Sequence, residues 1–263
     1  MAQYNKKILY ITDQFQISEL SSKNQEIKFR KRNLPHWEMP GACYFITFRL
    51  ADSIPISVIE QLREENERKI NNEIQRLGKM NKYRLNELKF EMVMKIDDYL
   101  DKNINIRYLS YPRIAKIVQD ALLYFAVLYV PDTNDFANKS NVKIFHVDNY
   151  QGDIVFRYIL FRWAIIPNHV HVQILPMINH QTGKYFELEK ILHSIKSYAA
   201  NEANKILNRE RQFWQHESYD HIIRNEEEFY RIWRYIDYNP VKARLCQRVE
   251  DWEWSAEYFV RNL

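Results

Sequence analysis

His169, Val170 and His171 are the residues from which chemistry is first legible in this chain. Successive side chains of an extended strand point to opposite faces, so His169, His171 and Gln173 share one face, and Val170, Val172 and Ile174 share the other. The valine face suits a core. The histidine face presents two imidazoles together, at a spacing that suits one divalent ion. The same spacing also suits two partly buried structural histidines, and a His-x-His tripeptide does not choose between them. More specific is the string Trp163 to Val172, in which an apolar strand, a Pro167-Asn168 turn and the histidine strand follow one another directly.

A second constellation runs from Arg234 to Ala243. Tyr235 and Asn239 are four apart and share a helix face. A phenol with a pKa of about 10 is a poor nucleophile at neutral pH, and a metal that draws charge from a phosphate eases that demand. Asn239 offers an amide oxygen, a hard ligand suited to Mg2+ or Mn2+. Two imidazoles and one amide oxygen leave coordination positions open for phosphate oxygens. A tyrosine-rich helix also serves core packing, and with 18 tyrosines in the chain most are structural.

A third group spans Phe213 to His221, followed by Arg224. Its aromatics suit stacking on unpaired bases and its arginine suits phosphate, while His216 and His221 suit proton transfer. Its plain alternative is a loop crossing between two helices.

The elements that must position these groups follow from periodicity. Tyr44 to Leu50 alternates, with Tyr44, Ile46, Phe48 and Leu50 on one face, and reads as a strand after the Pro40-Gly41 turn. Residues 57–101 are charged, with apolar residues at helical spacing, and read as two helices broken near Gly78: an inserted arm whose plain reading is a solvated structural insertion. Pro112 opens a helix to about Phe125. Residues 131–153 read as loop around a short strand, Val142 to His146. Strands follow at Phe156 to Ile166 and Val170 to Leu175, then a helix over Leu188 to Leu207. A last helix from Glu226 to Tyr238 is capped by Asn225 and ended or kinked by Pro240. This order is that of an α+β chain, an antiparallel sheet with packed helices. An arm over residues 1–29, carrying part of a basic cluster at Lys28, Arg30, Lys31 and Arg32, precedes a domain over 30–258, with a tail at 259–263.

Composition narrows the class. Four glycines in 263 residues argue against a glycine-loop nucleotide binder. The net charge of +4 permits a nucleic-acid partner without demanding one. Cys43 and Cys246 make no disulfide framework, so a reducing cytoplasm is the expected setting. No stretch approaches 18 uninterrupted apolar residues, so no membrane span is expected.

Taken in order, these segments resemble the REP-associated tyrosine transposases, a branch of the single-strand insertion-sequence transposases with a His-hydrophobic-His motif. The resemblance is carried by Asn33 to Glu38, Tyr44 to Ser53, Pro167 to His171, Ile195 to Tyr198, Phe213 to Gln215, Tyr219-Asp220, Ile223-Arg224, Tyr235-Ile236, Asn239 to Ala243 and Trp254-Ser255. It covers roughly residues 30–56 and 95–258. It implies a ferredoxin-like core with the histidine pair on a central strand, the nucleophile at Tyr235 and the third metal ligand, beside His169 and His171, at Asn239. The implied reaction is transesterification at a DNA phosphate through a 5′-phosphotyrosine, on a repeat folded into a hairpin, with Mg2+ or Mn2+. Arg49, Lys196, Trp214, Arg224 and Lys242 are the candidate DNA contacts. Relatives work as monomers or as dimers, and both stay open. Ile166 stands where the family often has methionine, and Arg244 stands where a glycine is common, which would alter the turn after the active helix or add a DNA contact.

Two other readings compete. One is a hairpin-binding protein without catalysis. The other is a metal-dependent phosphoester hydrolase using the histidine pair, which requires an acidic ligand nearby in space; the sequence offers no adjacent one.

Overall fold

The computed structural model describes residues 6–9, 28–31, 35–78, 82–102, 105–130, 144–147 and 155–262. In chain order the strands and helices are β1 (Lys6–Leu9), β2 (Lys28–Lys31), β3 (Pro35–Glu38), β4 (Cys43–Arg49), α1 (Ile56–Leu77), α2 (Lys82–Lys102), α3 (Pro112–Tyr124), β5 (Ala126–Leu128), β6 (Ile144–Val147), β7 (Tyr158–Ile166), β8 (His169–Pro176), β9 (Ile178–Asn179), β10 (Lys184–Tyr185), α4 (Leu188–Ile206), β11 (Tyr219–Ile223), α5 (Glu226–Lys242) and α6 (Ala256–Arg261).

Five strands form the central sheet in the order β11-β4-β8-β7-β5. All neighbours are antiparallel except β5 with β7. The path β4-α3-β7-β8-α4-β11 is the βαββαβ order of a ferredoxin-like fold, with β5 added at one edge. The α+β expectation holds, and β8 is central: His171 lies opposite Thr47 on one side and Ala164 on the other.

The alternation read in β4 divides the core in two. Tyr44, Ile46, Phe48 and Leu50 join Val170, Val172 and Ile174 beneath α3 and α4. Cys43 and Phe45 face the other way, with Phe161, Ala164 and Ile166, and are covered by Phe229, Ile232, Trp233 and Ile236 of α5 and Val93 of α2. The histidine face of β8 is therefore not a solvated surface. It is the floor of a second, smaller core roofed by α5 and by the inserted arm.

The arm is a helical hairpin as expected. α1 ends at Gly78, whose φ of 71° suits a residue without a Cβ. Four expectations need revision. Residues 219–223 are not part of a crossing loop; they form edge strand β11, paired with β4. Lys6–Leu9, within the segment read as an arm, pairs with Ile144–Val147, which lies at the expected short strand; residues 131–143 and 148–153 lie outside the described residues. Residues 259–261 are no tail but the end of α6, where Phe259 packs edge-to-face on Trp163 at 5.5 Å.

The fourth revision concerns Pro240. α5 runs through it to Lys242. Proline lacks an N–H but keeps its carbonyl, and the carbonyls of a helix's last turn are the groups that need partners from beyond the helix. Leu245 N–H donates to Pro240 O and Arg244 N–H to Val241 O, both at 2.9 Å. These two bonds close a Schellman motif, and its left-handed position is Arg244, at φ 59°. The position where the resembled family often has glycine is thus one whose backbone favours glycine.

Candidate metal and nucleophile site

Helical spacing places Tyr235 and Asn239 on one face of α5, and strand alternation places His169 and His171 on one face of β8. The fold brings these faces together. Asn239, His169 and His171 are buried and Tyr235 is half-buried. His169 Nε2 and His171 Nε2 stand 3.1 Å apart.

The other ring nitrogens are tethered. His169 Nδ1 meets Asn168 Oδ1 at 2.7 Å, and Asn168 Nδ2 in turn donates to Leu100 O at 2.9 Å. Because that amide oxygen can only accept, His169 carries its proton on Nδ1 and turns an Nε2 lone pair into the site. His171 Nδ1 meets Thr47 Oγ1 at 2.8 Å. Fixing one imidazole nitrogen from outside so that the other is presented inward is the usual support of a metal-binding histidine. Asn168, read from the sequence only as a turn residue, is a positioning residue that joins the histidine strand to α2.

The sequence reading missed Asp97. It lies on α2, in the arm to which no role was given, and its side chain is fully buried. Tyr235 Oη donates to Asp97 Oδ2 at 2.5 Å, and that oxygen lies 3.5 Å from His171 Nε2. Ligand atoms of Asp97, His169 and His171 all lie within 4.8 Å of one another. Asn239 Nδ2 donates to Tyr235 Oη at 3.3 Å. Asp97 Oδ1 and Asn239 Oδ1 are buried with no hydrogen-bond partner.

Burial sets the protonation states. It pushes the His169 imidazole down to about 3, with the nearby Lys242 charge adding to the effect. His171 is driven down by burial, by His169 and by Lys242. Burial pushes the Asp97 carboxyl up to about 8, against the opposing pull of the Tyr235 hydrogen bond and of Lys242. Tyr235 is raised above its ordinary value by burial and then by Asp97. Both imidazoles are thus neutral near pH 7, as ligands must be. Two inward-facing imidazoles and two buried oxygens without a hydrogen-bond partner among the described residues fit a divalent cation that accepts nitrogen and oxygen donors.

The candidate DNA contacts fall in three places. Lys242 is beside the site, its ammonium 2.6 Å from Asp98 and 3.2 Å from Asp101 on α2. Arg49, Lys196 and Trp214 cluster elsewhere. Trp214 Nε1 donates to Lys196 O at 3.0 Å, while Lys196 Nζ donates to the carbonyls of Gln215 and His216 and to Ser218 Oγ. Arg49 donates to Ser53 Oγ at 3.1 Å. Lys196 and Trp214 line a groove of about 1040 Å³ along α4 that includes neither histidine of the site. Arg224 follows β11, its backbone N–H donating to Glu228 Oε2 at 3.0 Å. His221, a candidate for proton transfer, faces Glu228 Oε1 at 2.9 Å. Among the described residues no helix is long and apolar enough to cross a membrane.

No family model matches the chain. A solved structure of a REP-associated tyrosine transposase bound to a REP hairpin aligns with a TM-score of 0.42 at 13% identity, over 85% of this chain and 81% of that one. A Haemophilus influenzae protein is 28% identical over 97 residues, which are 35% of this chain and 55% of that protein. The match thus spans about half the length of that curated relative. The relative carries the name REP-associated tyrosine transposase, and it is to this group that the chain is similar.

Proposed function

We propose that the chain cuts and rejoins single-stranded DNA beside hairpin-forming repeats, with Tyr235 as the nucleophile. One observation carries the reading: a phenol, two neutral inward-facing imidazoles and a carboxyl from distant parts of the chain meet in one buried pocket. His169 and His171, with Asn239, would hold Mg2+ or Mn2+, and the ion supplies charge neutralisation at a phosphate oxygen. In the step, a new P–O bond forms to Tyr235 Oη and the bond from phosphorus to the 3′ oxygen breaks. The phenol proton passes to Asp97, and the 3′ oxygen departs as a hydroxyl by taking a proton from water. A 5′-phosphotyrosine and a free 3′-OH result, and the reverse reaction rejoins the strand. Asn239, through its amide N–H, orients Tyr235 Oη.

The test is covalent trapping. Protein, Mn2+ and a single-stranded hairpin oligonucleotide are expected to yield an SDS-stable protein–DNA adduct that Tyr235→Phe abolishes. An adduct that survives Tyr235→Phe refutes the assignment and moves attention to Tyr238, which is exposed.

Asp97 also favours a second reading. The hydrolase alternative needs an acidic group near the histidine pair, and α2 provides one. Metal-dependent hydrolysis of a small phosphoester, unimpaired by Tyr235→Phe, would select it over the strand transferase.

A further inference from the structure

We propose that Asp97 is itself a ligand of the bound metal, so that the inserted arm completes the metal centre rather than decorating the fold. The inference rests on the reading of His169 and His171 as a metal site and gives Asp97, there the phenol's proton acceptor, a place in the ligand set.

Three observations carry it. First, Asp97 Oδ2 lies 3.5 Å from His171 Nε2, and the two Nε2 atoms are 3.1 Å apart. One ion at ordinary ligand distances of about 2.0–2.2 Å can touch all three groups with small side-chain adjustments. Second, Asp97 is wholly buried, and no lysine or arginine among the described residues forms an ion pair with it. Among the described residues its hydrogen-bond partner is the Tyr235 phenol, and Oδ1 has none. Third, the placement of Asp97 is built in. The Asn168 amide that fixes His169 also grips Leu100 O one helical turn along from Asp97, and Val93 of the same helix is buried in the core beneath α5. The turn of α2 that carries Asp97 is thus held against β8 through the side chain that orients a histidine ligand.

A consequence follows for the arm. If its carboxylate ligates the ion, metal binding and docking of α2 are one linked equilibrium, and each strengthens the other.

The full-length protein is titrated with Mn2+ by calorimetry and by the loss of the free-ion EPR signal. Wild type is expected to bind one ion, and Asp97→Asn, which keeps the side-chain shape, is expected to bind at least tenfold more weakly. Hydrogen exchange in α2 is expected to slow on Mn2+ addition in wild type and not in Asp97→Asn. Asp97→Cys loaded with Co2+ is expected to show a sulfur-to-cobalt charge-transfer band absent from wild type; this reads ligation directly, whatever the variant's stability. Unchanged Mn2+ affinity in Asp97→Asn, with binding lost in His171→Gln, would overturn the role of Asp97 and leave the histidine site standing. No Mn2+ binding by wild type would overturn both. A missing charge-transfer band in Co2+-loaded Asp97→Cys would overturn this inference alone.

Discussion

Tyr235 Oη and Asp97 Oδ2 are 2.5 Å apart although 138 residues separate them in sequence. The contact joins the helix that carries the proposed nucleophile to the inserted arm. A phenol in that position is doubly constrained: burial and the adjacent carboxyl both disfavour the phenolate. Without a cation the pocket holds its nucleophile protonated. This gives the proposed activity a built-in dependence on metal, because only a cation makes the charged forms of Asp97 and Tyr235 tolerable there.

Tyr235→Phe therefore has a structural as well as a chemical consequence. It leaves the Asp97 carboxyl without its hydrogen-bond donor in a buried site. The expected loss of stability is about 1–3 kcal/mol, read by urea denaturation of metal-free protein, together with loss of the covalent adduct. A variant as stable as wild type would mean that the Tyr235–Asp97 bond contributes nothing to folding.

The pH dependence of metal-free stability follows from the same pocket. His169 titrates near 3 when folded and near its ordinary 6.5 when unfolded, and His171 shifts the same way. Below pH 6.5 the unfolded chain binds more protons, so stability falls as pH drops from 6.5 toward 3. Asp97 titrates near 8 when folded against an ordinary 3.8. Between those values the folded chain binds more protons, so this group's contribution falls as pH rises toward 8. Two histidines outweigh one aspartate below pH 6.5, and above it the aspartate acts alone. The three groups together place maximum stability near pH 6.5, with a decline toward pH 8 that Asp97→Asn removes. Urea midpoints from pH 4 to 9 on both proteins check this; an identical decline above pH 6.5 in the variant would assign it to another group.

Much of this site was legible in the sequence, and the reasons are local. A strand with period two and a helix with a four-residue spacing place His169 with His171 and Tyr235 with Asn239 without any tertiary information. Asp97 was not legible because it is one acidic residue on a helix full of them. What distinguishes it from Asp98, beside which it stands, is only which face meets β8: Asp97 is fully buried and Asp98 is half-exposed. Strand β11 was hidden for a related reason. Its sequence, Tyr-Asp-His-Ile-Ile, mixes polar and apolar residues on both faces, as an edge strand beside a polar pocket can. Pro240 misled only slightly, because α5 ends at Lys242 and the proline falls in its last turn.

Arg244 offers a test of that last turn. A non-glycine residue in the left-handed region costs about 1–2 kcal/mol, and glycine loses part of that advantage through its freer unfolded chain. Arg244→Gly is expected to stabilise the protein by about 0.5–1 kcal/mol, read by thermal and urea denaturation. Destabilisation would show that the arginine side chain contributes more than its backbone strain costs.

Arg162 holds α5 from the other side. Its side chain is 4% exposed, lies 3.3 Å from Asp237 and 3.2 Å from Glu257, and stacks 3.7 Å over Trp233. It thereby ties β7 to the helix that carries Tyr235 and to α6. Arg162→Met strands the Asp237 carboxylate, while Glu257 keeps its pairing with Arg261, and is expected to cost about 3–5 kcal/mol. Adding Asp237→Asn should recover part of the loss, because it removes the stranded charge. A double variant no more stable than Arg162→Met would show that packing on Trp233, not charge pairing, dominates.

Lys242 is the candidate DNA contact that the structure sets beside the site, and there it is already engaged by Asp98 and Asp101. A phosphate that recruits this ammonium must displace the arm's carboxylates, so the arm competes with DNA for the same cation. Each lysine–phosphate contact contributes about one unit to the slope of log affinity against log salt. Lys242→Ala is expected to weaken hairpin binding at low salt and to flatten that slope by about one. Asp98→Asn with Asp101→Asn is expected to do the reverse, tightening binding by removing two competing negative charges. Adding Lys242→Ala to that pair should cancel most of the gain. Fluorescence anisotropy of a labelled hairpin across a salt series measures all three. If the acidic pair tightens binding equally with and without Lys242, the carboxylates repel DNA directly rather than by holding the lysine.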